Sequence, residues 1–383
     1  MPTDQVHLKT LFVSHTYILG INQGKLDAVA STKRADVGLL VPGKWKARGW
    51  DKLYNLEKSY SAIKYYPAKV FLGGIGGGYF YSPLNVYHAI KDFKPDILQV
   101  EQEVFSLSAF ELAIWARVTK IPLVVFVWEN LERQLSFPRN LMSQFVLNTA
   151  RLIIAGNQDG KKVLKQMNYK GEIEVMPQMG VDPNIFSPQL RQPKESQELI
   201  IGYMGRLIHR KGIDLLLSAA QKLKKNGHSF RVVLCGSGQD ETVLKQQASQ
   251  KNLDDIVTWK GKIPHQNVPK EMGKFDIMVL PSRTVGDWKE QFGHILIEAM
   301  SMGVPIVGST CGEIPHVIGR SDLIFPEEDA QSLAKILERA IQEPLWLKEV
   351  SQYEIERVEQ NYTHERIARR LIALWSEILK HKF

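Results

Sequence analysis

The chain has 383 residues, of which 44% are hydrophobic and 23% are charged, and its net charge is +8. This length suits two domains of about 190 residues each, and the composition excludes a disordered or fibrous protein. Two cysteines, Cys235 and Cys311, are too few for a disulfide framework, which fits a reducing cytosol.

Short continuous apolar runs alternate with helical segments along the whole chain, as in a parallel sheet that is buried on both faces. Two such series in succession predict an α/β protein with two Rossmann-like, doubly wound domains and an interdomain cleft. The predicted strands cover 10–14, 37–41, 69–72, 96–100, 122–127, 152–155 and 173–176, then 199–204, 230–235, 256–259, 276–280, 304–308 and 322–325.

We expect three segments along the chain. Residues 1–187 form the first domain, residues 188–362 form the second, and a last segment, 363–383, packs back on the first domain as a helix. The boundary is placed in 187–197, which is polar and contains two prolines.

The basic surplus lies at the N-terminus, because residues 1–70 hold 11 Lys or Arg against 5 Asp or Glu. Within them, residues 41–70 carry seven Lys or Arg, two acids and six Trp or Tyr. This segment predicts either contact with an anionic membrane or a solvated face whose aromatic side chains cover the core.

No run is long enough to span a membrane, and the N-terminus lacks the features of a signal peptide. We therefore expect a cytoplasmic protein, which contacts the inner face of the membrane peripherally if residues 41–70 bind an anionic membrane.

Residues 73–78 are rich in glycine but lack the Gly-x-Gly-x-x-Gly spacing of a dinucleotide site. A simple turn is the favoured interpretation.

The first turn of the second domain is basic. It contains Arg206, Arg210 and Lys211, and a helix is predicted from about residue 213. The N-terminus of a helix attracts anions, and Arg and Lys strengthen that attraction, so the turn predicts a diphosphate site. A solvated basic loop remains the alternative.

Two carboxylates follow the strand at 276–280. Glu290 lies in a loop and Glu298 in the helix after it, eight residues further on. A carboxylate can accept two hydroxyl hydrogen bonds, which suits a sugar or a ribose, whereas each acid taken singly could be a solvated or paired group.

Together the segments 202–214, 290–298 and 303–315 resemble the family 4 glycosyltransferases, which have the GT-B fold and retain the anomeric configuration. Residues 205–212 match Gly-Arg-Leu-x-x-x-Lys-Gly, two glutamates follow eight residues apart, and 303–308 match the family's Gly-x-Pro segment. Residues 175–186 resemble the family's interdomain signature.

The resemblance implies a role for each matching residue. Arg206 and Lys211 would hold the donor diphosphate and Glu298 the ribose, while Glu290 would contact the donor sugar. The amides near Phe292 and Gly293 would lie beside that sugar, Gly236 and Gly238 would let the backbone approach the nucleotide, and Lys262 and Ile263 would lie near the base.

The first domain departs from the family pattern. Many members have a His-Asp pair after the strand that corresponds to 122–127, where this chain has Trp128, Glu129 and Asn130. His15 and Glu129 both follow predicted strands, and each has either a catalytic role or a hydrogen-bonded structural role.

The resemblance implies transfer of a sugar from a UDP- or GDP-linked donor to a glycan or lipid-linked acceptor, in exopolysaccharide or cell-envelope synthesis. No metal or other cofactor is expected, since we find no Asp-x-Asp pair. The alternatives are a GT-B nucleotide-sugar epimerase and a basic polyanion-binding protein, although no nucleic-acid-binding module is present in the sequence.

Overall fold

The computed structural model describes residues 7–46, 52–73, 77–191 and 198–380. The chain divides into two compact units. Unit 1 combines Met1–Gly180 with His364–Phe383, and unit 2 is Val181–Thr363. The chain therefore passes from one unit to the other at Gly180 and returns at His364.

Unit 1 is built on a seven-stranded parallel sheet with the strand order β5-β2-β1-β8-β9-β10-β11, and two small antiparallel pairs, β3–β4 and β6–β7, lie outside it. Its strands are β1 (Leu8–Val13), β2 (Ala35–Pro42), β3 (Lys44–Trp45), β4 (Tyr54–Asn55), β5 (Ile63–Ala68), β6 (Val70–Phe71), β7 (Phe80–Tyr81), β8 (Ile97–Glu101), β9 (Leu123–Val127), β10 (Ala150–Ala155) and β11 (Glu172–Val175). Its helices are α1 (Gly24–Ser31), α2 (Pro83–Phe93), α3 (Leu107–Thr119), α4 (Phe137–Thr149), α5 (Gln158–Gln166) and, from the end of the chain, α13 (His364–Lys380).

Unit 2 is built on a six-stranded parallel sheet with the order β14-β13-β12-β15-β16-β17. Its strands are β12 (Leu199–Met204), β13 (Phe230–Cys235), β14 (Val257–Gly261), β15 (Ile277–Leu280), β16 (Ile306–Ser309) and β17 (Ile324–Phe325). Its helices are α6 (Ile213–Lys225), α7 (Glu241–Gln250), α8 (Val268–Met272), α9 (His294–Ser301), α10 (Ile314–Ile318), α11 (Ala330–Gln342) and α12 (Pro344–Asn361).

The predicted strand 69–72 forms as β6 (Val70–Phe71), but it does not belong to the main sheet of unit 1. The edge strand of the unit 1 sheet is β5, whereas Val70–Phe71 pairs with β7 in a two-stranded ribbon. The strand β5 contains Lys64, two tyrosines and Pro67, so it lacks the continuous apolar run of a central strand. An edge strand tolerates such a sequence, because one side of it forms no ladder.

The aromatic side chains described within 41–70 cover the core of unit 1. Trp45 is buried against His15 and Tyr79, and Tyr54, Tyr60, Tyr65 and Tyr66 pack on the core cluster. Residues 47–51, which include Arg48 and Trp50, lie outside the described residues, as do residues 74–76 of the predicted glycine turn. The described aromatic residues therefore fit the core-covering alternative.

The C-terminal helix α13 belongs to unit 1. Its buried side chains include Ile367, Leu371 and Trp375, and Trp375 packs edge-to-face on Phe12 at a ring-centroid distance of 5.6 Å. The Trp375 indole Nε1 donates to Gln99 Oε1 at 2.8 Å, which ties the last helix to the central strand β8.

A buried ion pair lies at the carboxyl end of β8. Lys25 Nζ is 2.6 Å from Glu101 Oε1, and the two side chains are 2% and 0% exposed. Glu101 also accepts hydrogen bonds from Tyr17 and Gln178, and burial lowers the pKa of Lys25, which the charge of Glu101 partly offsets. Removing either partner should destabilise the folded protein, because the remaining charge would be buried without an ion partner.

Candidate functional site

The strand order of unit 2 indicates where a ligand site is expected. The sequence of strands reverses direction between β12 and β15, and ligands of open α/β sheets bind beyond the carboxyl ends of the strands at that point. Predicted site residues follow four of its strands: Arg206 and Lys211 after β12, Gly236 and Gly238 after β13, Lys262 and Ile263 after β14, and Glu290, Phe292 and Gly293 after β15. The fold thus brings these loops to one edge of the sheet.

The basic turn after β12 packs closely against the start of the loop after β15. Gly212 has φ +69°, and a Cβ at this position would lie 1.9 Å from the carbonyl oxygen of Pro281. The amide of Arg283 donates to the carbonyl of Arg210 at 2.9 Å. Only glycine fits at this position without moving the backbone. The close packing of the two loops is therefore sufficient to explain Gly212 at the end of the basic turn.

Arg206 is exposed, and its side chain forms no hydrogen bond or ion pair within the described parts of the chain. Lys211 differs, because its Nζ lies 2.5 Å from Glu290 Oε2, and the two side chains are 15% and 11% exposed. Ser282 Oγ donates to the same carboxylate oxygen at 2.9 Å. The sequence predicted separate ligand contacts for Lys211 and Glu290, and the structure joins them directly.

Glu298 lies in the second turn of α9 and is partly buried. Burial raises the pKa of its carboxyl group to about 7. Its carboxylate makes no hydrogen bond to any residue that the structure describes. Both oxygens are therefore available to accept hydroxyl groups, as a ribose would require.

The glycines after β13 pack against the turn after β12. Gly236 has φ +147°, and a Cβ there would lie 1.7 Å from the carbonyl oxygen of Gly205. A Cβ at Gly238 would lie 2.1 Å from the carbonyl oxygen of Leu207. Backbone packing alone therefore requires glycine at both positions, whether or not a ligand binds there.

The remaining predicted residues of unit 2 differ in exposure. Phe292 is buried and packs on His294 and Tyr362, so its side chain belongs to the core and its backbone remains the candidate contact. Gly293, with φ +79°, immediately precedes α9. Lys262 is exposed and Ile263 partly buried, both directly after β14.

Sequence reasoning missed Arg283 and Trp288 in the loop after β15. Arg283 is buried and donates through one terminal nitrogen to both carboxylate oxygens of Asp214 at 2.8 Å, while its other terminal nitrogen lies 3.1 Å from His209 Nε2. Arg283 therefore fixes the basic turn and the first turn of α6 to this loop. Nothing in the sequence around Arg283, which directly follows Pro281 and Ser282, predicts that it joins these two loops.

His15 follows β1 in unit 1 and is held by polar and aromatic neighbours. Its Nδ1 lies 3.0 Å from Gln102 Nε2 and 3.1 Å from Tyr79 Oη, and its ring packs on Trp45 at 4.9 Å between centroids. Burial lowers the pKa of His15 to about 4. The imidazole is therefore neutral at pH 7, and Nδ1 accepts the amide proton of Gln102.

Glu129 follows β9 and forms an ion pair with Arg133. Sequence reasoning missed its neighbour Glu103, whose Oε1 accepts the amides of Trp128 at 2.8 Å and of Glu129 at 3.1 Å. Burial, with a smaller contribution from the charge of Glu129, raises the pKa of Glu103 to about 7. His15 and Glu129 follow β1 and β9, which β8 separates, and no hydrogen bond joins the two residues.

Residues 188–357 match the family model "Glycosyl transferases group 1". The amylovoran biosynthesis glycosyltransferase AmsK of Erwinia amylovora is 35% identical over 43% of this chain and 41% of its own length. The putative colanic acid biosynthesis glycosyltransferase WcaL of Escherichia coli is 32% identical over 55% of this chain and 53% of its own length. The chain thus spans about half the length of these curated relatives.

A solved structure covers almost the whole chain. Anabaena HepE in complex with UDP superposes with a TM-score of 0.72 at 17% identity, over 97% of this chain and 100% of that one. At this identity the likeness concerns the fold. The fold is GT-B, the two-domain architecture of a large class of glycosyltransferases.

Residues 188–357, which match the group 1 glycosyl transferase model, make up less than half of the chain and lie almost wholly in unit 2. In the described parts of the chain, every helix is too short or too polar to cross a membrane.

Proposed function

We propose that this protein is a retaining glycosyltransferase of the family 4 type, which moves a sugar from a nucleoside diphosphate donor to an acceptor hydroxyl. One observation carries the proposal: Arg206, Lys211, Glu290 and Glu298 lie on the loops and the helix that follow β12 and β15, the two strands flanking the switch point of unit 2. Cations suit a diphosphate, and carboxylate oxygens, such as those of Glu298, can accept hydrogen bonds from hydroxyl groups.

The donor is proposed to bind unit 2. Arg206 and Lys211 would bind the diphosphate, Glu298 would accept the ribose hydroxyls, and Glu290 would accept hydroxyls of the sugar. Lys211 can serve both parts of the proposed site, because its ammonium has three donors and can bind a phosphate oxygen while still contacting Glu290.

The reaction is proposed to need no metal. The bond from the sugar's anomeric carbon to the diphosphate oxygen breaks, and the acceptor oxygen bonds to that carbon from the same face. The acceptor's proton passes to the departing diphosphate. Arg206, Lys211 and the N-terminus of α6 supply fixed positive charge where the leaving group develops negative charge.

The acceptor is proposed to bind unit 1, where His15 and Glu129 are the candidate polar contacts. Because Nδ1 accepts from Gln102, the neutral His15 carries its proton on Nε2, and this N–H can donate a hydrogen bond to an acceptor hydroxyl. Relatives named for amylovoran and colanic acid biosynthesis support a glycan or lipid-linked acceptor in exopolysaccharide or cell-envelope synthesis. The two free cysteines fit a reducing cytosol, so we propose a cytoplasmic enzyme, with peripheral contact at the inner face of the membrane as an addition to be tested.

A nucleotide panel tests the donor site. UDP, GDP, ADP and their sugars are added separately, and the thermal midpoint is measured with each. A ligand that binds only the folded state raises the midpoint, by about 2.7 kcal/mol of stability at a hundred times its Kd. We expect one base to give a clear shift, and no shift with any nucleotide at millimolar concentration would contradict the proposal.

Two glutamine substitutions test the division between the carboxylates. Glu298→Gln should weaken binding of the free nucleoside diphosphate, whereas Glu290→Gln should spare it and lower turnover of the nucleotide sugar. In the wild type the affinity should fall as the pH drops below about 7, because protonation of Glu298 removes a hydrogen-bond acceptor.

The Glu298→Gln variant supplies the control for that pH effect, since the nucleotide's own titration is unchanged in it. Burial raises the pKa of Glu298, so its ionisation opposes folding, and the ligand-free variant should be more stable than the wild type at pH 8. Equal loss of nucleotide affinity in both variants would show that the two roles are not divided.

A further inference from the structure

The loop after β15 presents one aromatic side chain to the basic turn. The Arg210 guanidinium carbon lies 4.5 Å from the centroid of the Trp288 ring, and Lys211 Nζ lies 5.0 Å from the same centroid. Both distances are within the roughly 6 Å over which a cation is attracted to an aromatic face. Trp288 is partly buried, so water screens these contacts less than at an open surface.

The backbone holds Trp288 in this position. Val285 and Trp288 exchange two backbone hydrogen bonds, each of 3.0 Å, around a tight turn in which Gly286 has φ +56°. The turn is anchored on both sides. The Arg283 amide donates to the Arg210 carbonyl before it, and Glu290 pairs with Lys211 after it.

Arg206, Arg210 and Lys211 lie within six residues, so their positive charges repel one another. A contact that stabilises these cations therefore helps to hold the basic turn together. Burial first, and then the charge of Arg206, lower the pKa of Arg210. Its Nε is buried without a hydrogen-bond partner in the described chain. Lys211 has Glu290 as its ion partner, so the ring face is the contact that the two cations share.

We propose that Trp288 is a positioning residue of the donor site, which holds Arg210 and Lys211 in the arrangement that binds the diphosphate and makes Arg210 its third cation. The inference rests on the proposed donor site and adds to it a residue that acts through the two cations. Without the ring, the flexible side chains would have to be ordered when the diphosphate binds, which costs affinity.

Titration calorimetry with UDP and GDP tests the role. For whichever of the two nucleotides binds the wild type, Trp288→Leu should raise the Kd about tenfold. This factor corresponds to the free energy of ordering one or two long side chains on binding. Trp288→Phe keeps an aromatic face and should stay within about threefold of the wild type. The ligand-free thermal midpoint should be unchanged in both.

Arg210→Gln, Trp288→Leu and the variant that carries both substitutions form a double-mutant cycle with the wild type. If Trp288 acts through Arg210, the double variant should bind less weakly than the two single losses together predict. Tyr353→Leu is the matched control, because it removes the ring beside Arg320 at 5.5 Å on α12 and should leave the Kd unchanged.

Failure of this inference is distinct from failure of the donor site. A wild type that binds neither UDP nor GDP would contradict the donor site itself. A wild type that binds, with Trp288→Leu at the same Kd, would overturn the role of Trp288 alone. A Phe variant as weak as the Leu variant would also overturn it, since the aromatic face would then not be the cause.

Discussion

Replacing both Arg206 and Lys211 with glutamine should lower the affinity for a nucleoside diphosphate by about 10²- to 10⁴-fold. A hydrogen bond to a charged group contributes about 1.5–3 kcal/mol, and two of them would be lost. Turnover of the nucleotide sugar should fall at least as far, because the leaving diphosphate carries more charge in the transition state. Calorimetry and a coupled release assay measure the two effects.

The two single variants should differ in stability. Arg206 has no ionic partner in the described chain, so Arg206→Gln should leave the melting temperature unchanged. Lys211→Gln removes the partner of a carboxylate that is 11% exposed, so it should lower the melting temperature as well.

A charge-matched control lies at the other end of the unit 2 sheet. Lys224 lies near the end of α6 and Arg231 at the start of β13, so replacing both with glutamine removes the same charge away from the site. This control should bind like the wild type. Equal weakening of the two double variants would mean that general charge attraction, and not the basic turn, binds the diphosphate.

Lys25→Met should destabilise the protein by about 3–5 kcal/mol, because it leaves the carboxylate of Glu101 buried without its ion partner. Denaturant unfolding followed by circular dichroism would show the loss as an earlier transition for unit 1. Lys64→Met is the matched control, since Lys64 and Asp92 form an equally short pair, 2.6 Å, whose side chains are 54% and 49% exposed. The control should unfold like the wild type.

An unchanged transition for Lys25→Met would contradict this account of the buried pair. A second variant, Lys25→Met with Glu101→Gln, removes the isolated charge and should recover part of the lost stability. Tyr17 and Gln178 can still donate to the amide oxygen that the second substitution introduces, so the hydrogen bonding of the new side chain is partly satisfied.

The sequence predicted the two parallel sheets well because central strands are continuous apolar runs. Every strand of the unit 2 sheet lies within two residues of its predicted range, whereas β5 was missed because an edge strand can be polar and contain proline. The order of the strands in each sheet could not be predicted, because the composition of a strand does not specify which strands lie beside it. That order is what brings the loops after β12 and β15 together.

The residues of the proposed donor site were predicted from their chemistry and from the family resemblance, whereas their contacts with one another were not predicted. Nothing in the spacing of Lys211 and Glu290, 79 residues apart, predicts that they form an ion pair. Arg283 and Trp288 were missed because their roles depend on where a loop folds back on another loop. Glu103 was missed because two backbone amides of the next loop give it its environment.

Transfer itself is tested most directly by proton NMR of the reaction in excess chelator. The donor is the UDP- or GDP-linked sugar that binds, and the acceptors are saccharides and lipid-linked saccharides. A retaining, metal-independent transferase should form a new glycoside only when an acceptor is present, with the anomeric coupling of the donor and without added metal. Consumption of the donor in the absence of acceptor, an inverted product, or activity that requires added magnesium would contradict the proposed function.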